Sequence, residues 1–186
     1  MAEVKDGSVH LMITSPPYPM IEMWDQFFQS VGCGSFTAMH DYLAETWREV
    51  YRVLVDGGVA CINIGDTTRT VNRVFRLFPN HAKVIEICES LGFVSLPNIL
   101  WMKPTTKPNA FLGSGFLPPN AYVTLDCEYI LIFRKGGVRS FKVKDPNRYS
   151  SHFTKKERDT WFSQIWDIPG VRQVSKSIDR RIAAFP

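Results

Sequence analysis

Thr14, Ser15, Pro16, Pro17 and Tyr18 follow one another directly after the apolar run Val9 to Ile13. Ser15 brings a small hydroxyl that can donate or accept a hydrogen bond, and Tyr18 brings a flat aromatic face with a polar tip. Neither proline can donate a backbone hydrogen bond, and each pushes the residue before it toward extended geometry. A strand that meets this pair has to stop in a stiff bend. In open α/β sheets that is the carboxyl-end position where ligands bind. The same five residues also fit a plain proline-terminated strand and turn, so the rest of the chain must decide between the two.

The elements around the bend read as a parallel α/β pattern. Val9 to Ile13 has the make-up of a buried parallel strand. Pro19 to Phe36 is aromatic and apolar without a clean period; it contains Trp24, Phe27 and Phe28 and reads as core packing more readily than as a mobile cap. Met39, Leu43, Trp47, Val50, Tyr51 and Leu54 fall at helical spacing, which predicts an amphipathic helix over 37–54 capped by Ser35 or Thr37 and closed by Asp56-Gly57-Gly58. Val59 to Ile64 is the next buried strand and leaves through Gly65-Asp66. Asp66 is a site candidate because it ends a strand at the same sheet edge as Ser15, where it could orient the serine, although carboxylates at strand ends also form turns. Thr67 to Phe78, with Arg69, Arg73 and Arg76, reads as a surface run, and 80–91 as a helix with Val84, Ile87, Cys88 and Leu91 inward. Strand and helix have then alternated twice, which argues for a parallel sheet with crossover helices. Phe93 to Met102 and Cys127 to Phe133 read as an antiparallel pair at the sheet edge. The long Pro-, Gly- and Asn-rich connection between them is of a length that is usually functional or disordered. Its Gly113-Ser114-Gly115 lacks the context of a phosphate cradle.

Composition bounds the class. A chain of 186 residues with 45% apolar content is one globular domain. Residues 1 to 134 carry 10 basic and 13 acidic side chains, and residues 135 to 186 carry 12 and 5, so the positive charge is concentrated at the end of the chain. There Arg139, Lys142, Lys155 and Lys156 alternate with Phe141, Tyr149, Phe153, Trp161 and Trp166, a mixture suited to phosphates and stacked bases or, more plainly, to a solvated face. The four cysteines are scattered, with no CxxC pair, so no metal site and no disulfide framework is expected; Cys61 and Cys88 lie in apolar runs and read as core. No signal peptide or membrane-length apolar stretch is seen, and a reducing cytoplasm is the expected location.

Thr14-Ser15-Pro16-Pro17-Tyr18, extended by Pro19 to Asp25, resembles the catalytic motif of the DNA amino-methyltransferases that use S-adenosylmethionine. Serine at the second position is typical of the cytosine-N4 branch; adenine-N6 enzymes usually carry Asp or Asn there. Gly57 to Asp66, Trp101 to Pro104, Glu128 to Gly136 and Ser163 to Pro169 resemble further segments of that family. The resemblance implies an α/β, Rossmann-like class I methyltransferase core in which a parallel sheet carries an antiparallel edge hairpin. Its catalytic part would span 1–136, with a basic target-recognition segment over 137–186.

It implies roles as well. A base inside a duplex is out of reach, so the enzyme must flip it out and hold it by stacking and by its Watson-Crick edge. Ser15 and the Pro16 carbonyl would accept from the exocyclic amine and aim its lone pair at the methyl donor, with Pro17 stiffening the corner, Tyr18 stacking on the base and Asp66 in support. Thr14 and Phe185 would border the cofactor, and Arg69, Lys103, Lys107 and the basic tail would meet double-stranded DNA. The letters of the family's Phe-x-Gly-x-Gly cofactor motif occur once, at Phe111 to Gly115 inside the long connection, without the strand-turn context of the family's cofactor turn, so the cofactor half is not recognised in the sequence. A second chain carrying that half, a shortened chain or a degraded gene are the three expectations, and the alternatives for function are adenine-N6 methylation or a DNA-binding subunit that is inactive alone.

Overall fold

The computed structural model describes residues 1–103 and 123–169. Lys107 and Phe185 lie outside them.

Strand β1 (Val9–Thr14) pairs in parallel with β2 (Leu54–Ile64). A short 3-10 turn (Glu22–Trp24), α1 (Asp25–Ser30) and α2 (Phe36–Val53) connect them. Helix α2 begins where the sequence places it: the Ser35 hydroxyl accepts the Ala38 amide at 3.1 Å. It ends earlier than expected. Leu54 is already extended, so the Asp56-Gly57-Gly58 segment lies inside β2 as an irregularity between the register pairs Val9↔Leu54 and Leu11↔Val59.

Residues 67–78 lie largely at the surface, as regular structure. They form a two-stranded antiparallel hairpin, β3 (Thr67–Val71) and β4 (Val74–Phe78). Asn72 and Arg73, at its two-residue turn, both have positive φ, 51° and 66°, as right-twisted hairpins require. Helix α3 (Asn80–Ser90) then leads to β5 (Phe93–Met102), and β6 (Cys127–Lys135) pairs with β5 antiparallel. Strand β6 inserts between β2 and β5, so the pair is only partly at the edge. The outermost strand is the short β7 (Ile165–Asp167), parallel to β5, and the sheet order is β1-β2-β6-β5-β7. The basic tail also forms α4 (Pro146–Ser150) and α5 (Lys155–Trp161), the latter with a reciprocal cap between Thr154 and Glu157.

Alternation along β2 divides the sheet's two faces. Ala60, Ile62 and Ile64 are buried beneath α2 and α3 with Leu131 and Phe133 of β6, and Trp47, Val50, Val84 and Cys88 close that layer. Each such large side chain contributes roughly 1.5–3 kcal/mol by leaving water. The opposite face is open: Leu11 is 54% and Ile13 is 73% exposed. Phe28 is fully buried, with Trp24 and Phe27 packed partly against the core, so the aromatic segment is core material. Cys88 lies in the core, where burial pushes its thiol up to about 12. Cys61 departs from the expectation, facing the open side of the sheet and half-buried there. Among the described residues, no helix is long and apolar enough to cross a membrane, and no group of three or more potential ligands is arranged to hold a metal.

Candidate active site

The chain leaves β1 through Ser15 and turns sharply. Pro16 and Tyr18 are buried, Pro17 is half-buried, and the Ile21 amide donates back to the Tyr18 carbonyl at 3.3 Å. Met20 sits at a φ of +66°. A left-handed backbone at a residue with a Cβ costs roughly 1–2 kcal/mol, so the corner has to be held by what surrounds it.

Two networks hold it. The first is built on Asn80, the first residue of α3, which is fully buried. Its amide nitrogen donates to the Pro19 carbonyl at 3.0 Å and to the Gly65 carbonyl at 2.9 Å, while its oxygen meets His40 Nε2 of α2 at 3.0 Å. With the amide NH2 committed to two carbonyls, His40 must carry its proton on Nε2. One side chain thereby joins the proline corner, the exit of β2 and two helices. Burial pushes His40 down to about 4, so the imidazole is neutral, and its Nδ1 has no partner among the described residues.

The second network centres on the Tyr18 hydroxyl. It donates to Glu128 Oε2 of β6 at 2.9 Å and accepts from Asn63 Nδ2 of β2 at 2.7 Å and from Ser15 Oγ at 3.1 Å. Asn63 Nδ2 also donates to Glu128 Oε2 at 2.7 Å, and Lys103 Nζ bonds Glu128 Oε1. Burial first, and the Glu128 charge second, push the Tyr18 phenol far above its ordinary range, so the hydroxyl keeps its proton. Gly65 makes the approach possible, since a Cβ there would lie 3.2 Å from the Tyr18 ring and 3.1 Å from Glu128 Cγ.

Several expectations are corrected by this arrangement. The Tyr18 ring is only 8% exposed, so it offers no open stacking face in this conformation. Asp66 does not orient Ser15; its oxygens hold His81 Nδ1 at 2.7 and 2.8 Å and the His81 amide at 3.1 Å, capping the start of α3, while the His81 ring stacks on Tyr129. Arg69 is committed to Asp25 through two 2.7 Å bonds, which tie the hairpin to α1 and leave it no free fork for phosphate. Lys103 is likewise held, by Glu128 and by the Trp101 ring at 3.9 Å. Arg139, Lys142, Lys155 and Lys156 are exposed, as expected of a charged surface, with Arg139 lying over the Phe141 ring.

Beside Ser15 lies a cavity of about 370 Å³ on the open face of the sheet, bordered by Thr14, Ser15, Asn63, Trp101, Trp166 and Ile168. It is large enough for a nucleobase, and its walls are mainly apolar, as ligand sites usually are. The Trp101 indole is fixed by donating to the Ile168 carbonyl at 2.7 Å. Burial raises the Cys61 thiol at the cavity wall, so it is not poised as a nucleophile.

Sequence reading missed Asn63, Glu128, His40 and Asn80. For the first two a signal was present: Asn63 is the lone polar residue within Val59 to Ile64, and Glu128 is the lone charge at the head of an apolar strand. His40 and Asn80 carry no such mark, because burial of a helical polar residue is decided by what packs on it.

Comparison with known proteins is consistent across sequence and structure. The DNA methylase family model N6_N4_Mtase matches residues 9–186. The Type II methyltransferase M.MjaI of Methanocaldococcus jannaschii is 59% identical over 209 residues, covering 100% of this chain and 69% of that protein. The Type II methyltransferase M.MthZI of Methanothermobacter thermautotrophicus is 45% identical, covering 100% of this chain and 58% of its own length. Among solved structures, TTHA0409 of Thermus thermophilus, described as a DNA modification methylase and complexed with S-adenosyl-L-methionine, superposes with a TM-score of 0.70 at 33% identity. That match covers 89% of this chain and 63% of the Thermus protein. The chain thus spans between a little over half and about two thirds of the length of these relatives.

Proposed function

The chain belongs to the N6_N4_Mtase DNA methylase family, with the mixed α/β sheet of a class I methyltransferase, and on that premise we propose that it is the catalytic and target-recognition portion of a site-specific DNA amino-methyltransferase. The observation that carries this is the placement of the Ser15 hydroxyl at the carboxyl end of β1, bordering a base-sized cavity. Cytosine N4 is the favoured target because serine stands at the motif position. Adenine N6 is the runner-up.

In this reading the extruded base enters the cavity with its exocyclic amine toward Ser15. Ser15 Oγ and the Pro16 carbonyl accept the two N–H bonds, drawing the amine out of conjugation with the ring and aiming its lone pair. Thr14 borders the same cavity and fits the methyl-donor end of S-adenosylmethionine, which supplies the methyl group. Stacking on Tyr18 requires its ring to turn outward; Trp101 and Trp166 already present aromatic surface at the cavity. No cysteine takes part. The exposed Leu11 and Ile13 on the open sheet face support the reading that a further cofactor-binding portion packs there, in the same or a second chain.

Duplex DNA incubated with the chain, the complementary portion and labelled S-adenosylmethionine, then digested to nucleosides, tests the proposal. N4-methylcytosine is expected, and Ser15→Ala should lower its yield about a hundredfold or more. N6-methyladenine would select the runner-up, and wild-type rates in Ser15→Ala would remove the mechanism. Retained DNA binding with no methyl transfer even in the presence of the complementary portion would favour the DNA-binding-subunit reading.

A further inference from the structure

The hydrogen bonds around Tyr18 have one permitted direction. An ionised glutamate only accepts, so the proton of the Tyr18 hydroxyl must lie toward Glu128 Oε2, 2.9 Å away. The same carboxylate compels Asn63 to present its NH2 rather than its oxygen, and that NH2 also donates to the Tyr18 oxygen at 2.7 Å. The Tyr18 oxygen therefore has a lone pair left, and no proton, for Ser15. Ser15 Oγ, at 3.1 Å, must donate its own proton to it. What Ser15 can offer the cavity is then lone pairs alone.

From this we infer that Glu128, acting through Tyr18, is the positioning residue that makes the cavity select a base carrying an amine over one carrying a keto oxygen. The inference rests on the proposed function of the same site and adds to it the origin of its substrate class. An exocyclic N–H meets an acceptor at Ser15. A keto oxygen of uracil or hypoxanthine meets a second lone pair, and the hydroxyl cannot turn to greet it without breaking its bond to Tyr18. Lys103, bonded to the other Glu128 oxygen, fixes the carboxylate in this orientation. Asn63 removes the remaining freedom, since a flipped amide would set its oxygen against the carboxylate.

Glu128→Gln is the informative change because it preserves shape and reverses direction. A glutamine can turn its NH2 toward Tyr18, whereupon the phenol proton can pass to the Ser15 side and the serine hydroxyl is released to donate into the cavity. Calorimetric titration of the full chain with cytidine and uridine, and with adenosine and inosine, reads the result directly. The unaltered chain should favour the amino member of at least one pair by about fivefold or more, the worth of one hydrogen bond correctly met, and Glu128→Gln should bring that pair to within about twofold of equality. Far-ultraviolet circular dichroism and the unfolding midpoint establish that the variant is folded; should it not be, Tyr18→Phe cuts the same link at its centre and should erase the preference likewise. A preference that survives both folded variants undiminished overturns the inference and leaves the site reading standing. Equal binding of amino and keto nucleosides by the unaltered chain, or binding of neither, removes the site reading itself.

Discussion

Tyr18 and Glu128 stand 110 positions apart in the chain and share a 2.9 Å hydrogen bond. That bond joins the corner after β1 to the start of β6, across the intervening β2, and it sets the direction of every other bond in the cluster. Glu128→Ala should leave the Lys103 ammonium, the Tyr18 hydroxyl and the Asn63 amide short of a partner together. We expect a loss of roughly 2–3 kcal/mol, the scale of hydrogen bonds to a charged group, read from the urea midpoint at unchanged slope. A loss below about 0.5 kcal/mol would show that the cluster is replaced by water at no cost.

Asn80 and His40 should behave as one unit. Asn80→Leu strands two buried carbonyls and the imidazole, for an expected cost of about 3 kcal/mol or more. His40→Leu strands only the Asn80 oxygen. The double variant should be less damaging than the sum of the two, with a coupling between about 0.5 and 3 kcal/mol; strict additivity would mean the 3.0 Å contact contributes nothing.

Stability should depend on pH through His40. Its folded-state pKa is depressed by burial, to about 4 from an ordinary 6.5, so the unfolded chain takes up the proton first as the medium is acidified. The contribution is therefore whole above pH 6.5 and is lost progressively as pH falls toward 4. Between pH 7 and pH 5 the loss should be about 2 kcal/mol. Denaturant unfolding at the two pH values measures it, and His40→Gln should flatten the dependence over that window.

DNA binding should discriminate the free cations from the committed ones. Lys155→Ala and Lys156→Ala should each reduce the slope of log affinity against log salt by about one if they meet phosphate. Arg69→Ala should leave the slope unchanged, because that guanidinium is already matched by the two Asp25 oxygens. Fluorescence anisotropy of a labelled duplex over a salt series provides both readings.

Much of this molecule is local. The hydrophobic period of α2, its Ser35 cap and the strand that ends in paired prolines are written in residues near one another in the chain, because helix periodicity and proline geometry act over a turn or less. The Thr14-to-Tyr18 run accordingly marks the corner that follows β1, and the isolated Asn63 and Glu128 could have been read as polar intrusions into apolar strands.

Tertiary packing decided the rest. The sequence determined that a hydroxyl and a phenol lie side by side at a strand end; it did not determine which way either is turned. That depends on a carboxylate brought in by β6, an amide from β2 and a lysine after β5, whose meeting follows from strand order rather than from neighbouring residues. The same holds for Asp66 and Arg69. Each was marked as a site residue by its type and position, and each is claimed by a partner, His81 or Asp25, that only the folded chain brings within hydrogen-bonding distance.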